Sequence, residues 1–255
     1  MQSSAVYDDL IRTRDNLGAG FLLLIDPDKN PVSDFLPMVE AARDCGVDAI
    51  LVGTSFTLYS DFGRAVKEIK SVSTVPVIIF PGSFAQITPD ADAILFTSLI
   101  SGRNPSYLIE EQVKGAPFVK KFGLEPIPTG YMLIESGPLT SVQYLSNSMP
   151  IPRSKHDIAC AHALAAQYLG MRLVYLEAGS GAAKPVPVEM VRAVSSYVNT
   201  PVVVGGGLCT PEDCAARIEA GASFVVIGNH LEGDGSFGQL RELTAATHTK
   251  DSIRI

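Results

Sequence analysis

Apolar residues in this chain fall in short unbroken runs, separated by polar, turn-forming stretches. The runs are FLLLI (Phe21–Ile25), AILV (Ala49–Val52), PVIIF (Pro76–Phe80), AILFT (Ala93–Thr97), EPIPTGYMLI (Glu125–Ile134), LVYLE (Leu173–Glu177), PVVVG (Pro201–Gly205) and FVVIG (Phe224–Gly228). Their apolar positions are continuous rather than alternating, as in parallel strands buried on both faces. Helical spacing occupies Val32–Cys45, Arg64–Ser71, Pro105–Lys121, Asp157–Leu169, Val188–Tyr197 and Pro211–Ala220. Thr210 before Pro211, acids at Glu212 and Asp213, and Gly221 at the far end give the last of these helices recognisable caps. Strand and helix in alternation predict an α/β fold, a (β/α)8 barrel formed as one domain over residues 1–255.

Two segments break the rhythm. Only PGSFAQITPDAD separates Phe80 from Ala93, and its two prolines and glycine leave no room for a full helix. The third helix of the barrel is therefore expected to be missing or replaced by a loop. Ser136–Lys155, with Pro138, Pro150 and Pro152, is a long irregular connection of the kind that often carries function.

Composition narrows the partners. Of 255 residues, 18% are charged and the net charge is −7, which argues against a general nucleic-acid binder. An anionic substrate would need a local positive pocket. Cys45, Cys160, Cys209 and Cys214 form no CxxC pair and have no histidine at zinc spacing, so they are expected to be thiols in a reducing compartment. No signal peptide is recognisable at MQSSAVYDDL, and no apolar run approaches the about 20 residues that span a bilayer. A cytoplasmic location is expected.

Catalytic residues of such barrels sit at the C-terminal strand ends. Those positions hold Asp26-Pro27-Asp28-Lys29, Gly53-Thr54-Ser55, Glu177-Ala178-Gly179-Ser180-Gly181, Gly205-Gly206-Gly207 and Gly228-Asn229. Glycines after strands seven and eight suit a phosphate held by backbone N–H groups. Asp26 is read equally well as a turn aspartate before proline and as a Mg²⁺ ligand. Thr54 and Ser55 nearby tilt it toward metal. Lys29 is either a phosphate contact or a solvated turn lysine. Glu177 needs a reason to be charged inside a barrel mouth, and Tyr175, two residues earlier, shares its face.

LLLIDPDK, LVGTS, SGRNPSYLI, GLEPIPTGYMLI, SNSMPIP, YLEAGSGA, VVVGGGL and VVIGN together resemble the geranylgeranylglyceryl phosphate synthases, a group that includes the bacterial heptaprenylglyceryl phosphate synthases. The resemblance runs from about Phe21 to Asn229, and IPTGYMLI and YLEAGSG resemble the archaeal and Bacteroidetes-type branch. It implies a modified TIM barrel lacking the third helix. It also implies Mg²⁺-dependent transfer of a geranylgeranyl group from its diphosphate to the C3 hydroxyl of sn-glycerol 1-phosphate. Glycerol-phosphate contacts then fall on Tyr175, Leu176, Glu177, Ala178, Gly179, Ser180, Gly181, Gly206, Gly207, Gly228 and Asn229. The metal positions fall on Asp26 and Ser55. Some members carry a lysine where this chain has Leu24, so that phosphate contact is lost or replaced here. Glu177 would act as the base, with Tyr175 positioning it or steadying allylic cation character. A homo-oligomer, hexamer or dimer, is expected, as is transient contact with a membrane surface. Tyr107–Phe122 and Tyr131–Ile134 are candidates to line the lipid groove. Other readings are a phosphate-binding isomerase or lyase of sugar or amino-acid biosynthesis, a noncatalytic phospholigand barrel, and an FMN-binding barrel.

Overall fold

Side chains such as Leu22 and Leu23, adjacent on one strand, both find apolar surroundings because the sheet has two covered faces. The computed structural model describes residues 5–58, 61–228 and 236–250. Eight strands pair in parallel and in sequence order into a closed barrel: β1 (Gly20–Ile25), β2 (Ala49–Val52), β3 (Val77–Ile79), β4 (Ala93–Leu99), β5 (Glu125–Leu133), β6 (Leu173–Glu177), β7 (Val202–Gly205) and β8 (Phe224–Ile227). Pairing of Gly20 with Phe224 closes the circle. Leu22, Leu51, Ile78, Leu95, Ile127, Tyr175 and Phe224 fill the interior. Leu23, Ile50, Val77, Val174 and Val225 face the outer helices.

The predicted strands all form. The helices between them are α2 (Val32–Glu40), α3 (Phe62–Val72), α4 (Glu111–Phe122), α6 (His156–Tyr168), α7 (Val188–Tyr197) and α8 (Pro211–Glu219), with the short α5 (Ser141–Ser146) inside the irregular Ser136–Lys155 connection. The α2 helix ends five residues before the predicted Cys45. Pro37 lies inside it, and tight turns carry the chain on to Gly46 at φ +85°. The predicted helix from Pro105 starts as a π turn over Ser106–Glu110 before α4. Thr210 and Asp213 form a reciprocal capping box on α8.

A single 3-10 turn, Phe84–Gln86, stands where the third helix would be. The buried Gln86 amide fills part of the gap, donating to the Thr54 carbonyl (3.0 Å) and Thr57 Oγ1 (2.9 Å) and accepting from the Gly82 N–H (2.8 Å). Phe84, Ile87 and Gly115 of α4 border the opening that remains, and a cavity runs through it from the barrel mouth.

Two helices lie outside the sequence reading: α1 (Ala5–Leu17) and α9 (Ser236–Thr247). Leu10 of α1, 3% exposed, enters the interior cluster with Val6, Tyr7 and Ile11 beside it, stopping the end of the barrel opposite the mouth. The carboxylate of Glu125, at the start of β5, accepts the Val6 and Tyr7 N–H groups at 2.8 and 3.0 Å. This satisfies unpaired donors of the first turn of α1 and compensates a buried charge. Leu10→Ala is expected to lower unfolding free energy by about 2–4 kcal/mol, measured by chemical denaturation. A loss below about 1 kcal/mol would mean that α1 only rests on the surface. No helix among the described residues is long and apolar enough to cross a membrane.

Candidate active site

Because strand residues alternate between faces, Leu173, Tyr175 and Glu177 of β6 all point into the barrel. Glu177 ends the strand at the mouth, 6% exposed, and its Oε1 accepts the Gly179 N–H at 2.5 Å. Burial pushes its carboxyl up to about 7, against the opposing pull of Gly179 and Tyr175. Tyr131, on β5, is the register partner of Tyr175. With Phe80, just past β3, these two make an aromatic trio with ring centroids 5.2–5.9 Å apart. Burial first, then the nearby Glu177 charge, drives both tyrosine hydroxyls well above their ordinary range, so they remain protonated. The Tyr175 hydroxyl lies toward Glu177 yet has no partner in hydrogen-bond geometry among the described residues.

The glycine loops adjoin this carboxylate. Gly179, Gly181, Gly206 and Gly207 have φ between +70° and +100°, backbone that turns N–H groups toward a common concavity. A Cβ on Gly206 would lie 2.4 Å from Glu177 Oε1 and 2.7 Å from the Gly179 nitrogen. The N–H groups of Ala178 and Ala182 are engaged with Gly205 and Gly179 carbonyls, and that of Gly179 with Glu177. Among the described residues no intramolecular hydrogen bond engages the N–H groups of Gly181, Gly206 and Gly207. These are the donors left for an anion. Leu176 and Ala178 are fully buried in the outer apolar layer, so neither side chain reaches the cavity. Ser180 and Gly228 line it. Asn229 lies outside the described residues.

On the opposite rim, Asp26 follows β1 and serves partly as the turn aspartate, its Oδ1 accepting the Asp28 N–H at 3.1 Å. Burial raises its carboxyl. The Asp28 N–H, the Lys29 charge and the Thr54 hydroxyl only partly offset that. Thr54 and the exposed Ser55 line the same cavity and offer hard hydroxyl oxygens, so the donor set fits Mg²⁺. Among the described residues no three His, Cys, Asp or Glu side chains cluster as a metal cage. A cation here would therefore complete its shell with substrate oxygens and water. All four cysteines are unpaired.

From the polar mouth the cavity continues as an apolar groove along Ile94, Leu95, Leu99, Tyr107, Tyr131 and Ile87. Phe80 escaped sequence reasoning as a site residue, and Tyr131, read there only as a groove candidate, is brought beside Tyr175 by the β5–β6 register.

The family model described as PcrB family matches residues 9–247. A geranylgeranylglyceryl phosphate synthase of Chitinophaga pinensis is 41% identical over 95% of this chain and 96% of its own length. The enzyme of that name from Thermococcus gammatolerans is 45% identical over 86% and 87%. The crystal structure of (S)-3-O-geranylgeranylglyceryl phosphate synthase from Thermoplasma acidophilum, in complex with its substrate sn-glycerol-1-phosphate, superposes with a TM-score of 0.90 at 36% identity, covering 97% of this chain and 100% of that one. By the extent of these matches and the barrel that underlies them, this chain belongs to the PcrB family, among the geranylgeranylglyceryl phosphate synthases.

Proposed function

We propose that the chain transfers a geranylgeranyl group from its diphosphate to the C3 hydroxyl of sn-glycerol 1-phosphate, forming an ether and releasing diphosphate in a Mg²⁺-dependent reaction. The observation that carries this reading is a buried, base-competent carboxylate, Glu177, between an anion cradle and a long apolar groove. The cradle takes the glycerol phosphate through the N–H groups of Gly181, Gly206 and Gly207, which fixes the hydroxyl relative to the donor carbon. Glu177 accepts the hydroxyl proton as the new C–O bond forms and the bond to diphosphate breaks, its electron pair leaving with the diphosphate. The unpartnered Tyr175 hydroxyl is placed to meet the substrate hydroxyl, and the faces of Tyr131, Tyr175 and Phe80 suit positive charge on the allylic carbon. Asp26 and Ser55 would hold the cation, which when bound offsets charge on the diphosphate. The groove excludes water from the prenyl chain.

The isomerase or lyase reading is not favoured, since no candidate strand ends in a lysine for imine chemistry. Labelled glycerol 1-phosphate incubated with prenyl diphosphates of several lengths, with Mg²⁺ or with chelator, tests the proposal. Ether product is expected only with Mg²⁺, and most from the twenty-carbon donor. No product from any donor would overturn the reading.

A further inference from the structure

Two polyanions must meet in a cavity whose own charges are of the wrong sign. Among the described residues lining it, Asp26, Glu111 and Glu177 are acids and none is a lysine or arginine. Backbone N–H groups contribute only partial charge, and the Asp26 corner suits a cation for the diphosphate. Among the described lining residues, none gives the glycerol phosphate, close to a dianion at neutral pH, a full positive charge.

Lys29 stands at the edge of this gap. Its backbone N–H closes a turn onto the Asp26 carbonyl at 3.2 Å. Its side chain leaves the β1 end and donates from Nζ to Ser180 Oγ, 2.9 Å away in the loop after β6 and 151 residues along the chain. In barrel order β7 and β8 lie between β6 and β1. The lysine therefore spans the strand ends that carry Gly206, Gly207 and Gly228. Its partner is a neutral hydroxyl, and an exposed bond of this kind adds little stability against the entropy of holding a lysine still. The position makes better sense for an anion lying beneath it.

We propose that Lys29 is the phosphate clamp of the acceptor subsite: its ammonium closes over the glycine cradle from the β1 side and neutralises the phosphate of sn-glycerol 1-phosphate. The inference rests on the proposed acceptor. The same ammonium bears on Asp26, so one side chain links the two phosphate-bearing halves of the site. Lys29 binds and orients; it moves no proton.

Calorimetric binding of sn-glycerol 1-phosphate, with inorganic phosphate as a second probe, separates the possibilities. Lys29→Met is expected to weaken both by about 10–100-fold, the usual weight of a charge-assisted hydrogen bond, and to flatten their salt dependence at unchanged thermal stability. Lys29→Arg should recover most of the affinity. In turnover, the methionine variant should raise KM for glycerol phosphate well beyond any change in KM for the donor, with kcat within about threefold. Wild-type affinity in Lys29→Met, or equal weakening by methionine and arginine, would overturn the clamp while leaving the proposed reaction standing. A wild-type chain that binds phosphate but not glycerol 1-phosphate would instead overturn both.

Discussion

Glu177→Gln is expected to lower kcat by about 10²–10⁴-fold, the range for losing a positioned general base, while the affinity for sn-glycerol 1-phosphate stays near that of the parent. Glutamine keeps the shape and can still accept the Gly179 N–H, so the cradle should survive. The parent's kcat/KM should rise with pH toward about 7, where burial has moved this carboxyl, and level off above it, because only the ionised form accepts a proton. The variant should lose that limb. Stability should move the opposite way. Between the ordinary 4.5 and about 7 the folded chain holds a proton on Glu177 that the unfolded chain has released. Stability from this group therefore falls as pH rises through that window, by at most about 3 kcal/mol in all. Above pH 7 the glutamine variant should unfold at higher denaturant than the parent, and below pH 4.5 the two should coincide. Parent-like kcat in the variant would remove Glu177 from the base role.

Gly206→Ala should damage both substrate binding and chemistry. The position has φ +83°, and its Cβ would meet Glu177 Oε1 at 2.4 Å and the Gly179 nitrogen at 2.7 Å. Left-handed backbone costs a non-glycine residue roughly 1–2 kcal/mol. The larger effect is displacement of the carboxylate and of the adjoining N–H groups. We expect glycerol-phosphate affinity to fall by about tenfold or more and kcat/KM by about a hundredfold or more, each tenfold corresponding to about 1.4 kcal/mol. Kinetics over a range of acceptor concentrations would show KM and kcat failing together, unlike the kcat-only loss at Glu177. A variant with wild-type KM would mean that the cradle binds elsewhere.

The parallel strands were legible because a doubly covered sheet imposes unbroken apolar runs, and VVVGGG or LVYLE can scarcely be read otherwise. Strand-end logic then named Asp26, Glu177 and the glycines without any tertiary knowledge. What escaped depended on distance along the chain. Tyr131 joins Tyr175 through cross-strand register. Lys29 meets Ser180 across the rim. The identity of Lys29 as turn residue or phosphate contact could not be decided locally. The α1 helix carries one buried side chain and reads as surface until Glu125 is brought to its first turn. The β3–β4 connection succeeded for the opposite reason: Pro81, Gly82 and Pro89 rule out a full helix by themselves.

The stopper formed by α1 also bears on how the chain reaches its native state. Ala5–Leu17 is made well before its anchoring carboxylate, Glu125, 119 residues downstream of Val6, and before the Arg172 carbonyl that takes the Tyr7 hydroxyl, 165 residues away. This helix must therefore wait for more than a hundred further residues before it can dock. Circle closure through Gly20 and Phe224 waits longer still. Contacts of such sequence separation slow folding, since loop entropy is lost before they repay it. Until then Leu10 and its neighbours Val6, Tyr7 and Ile11 stay open to solvent and to other chains, as does any apolar surface whose partner comes late in synthesis.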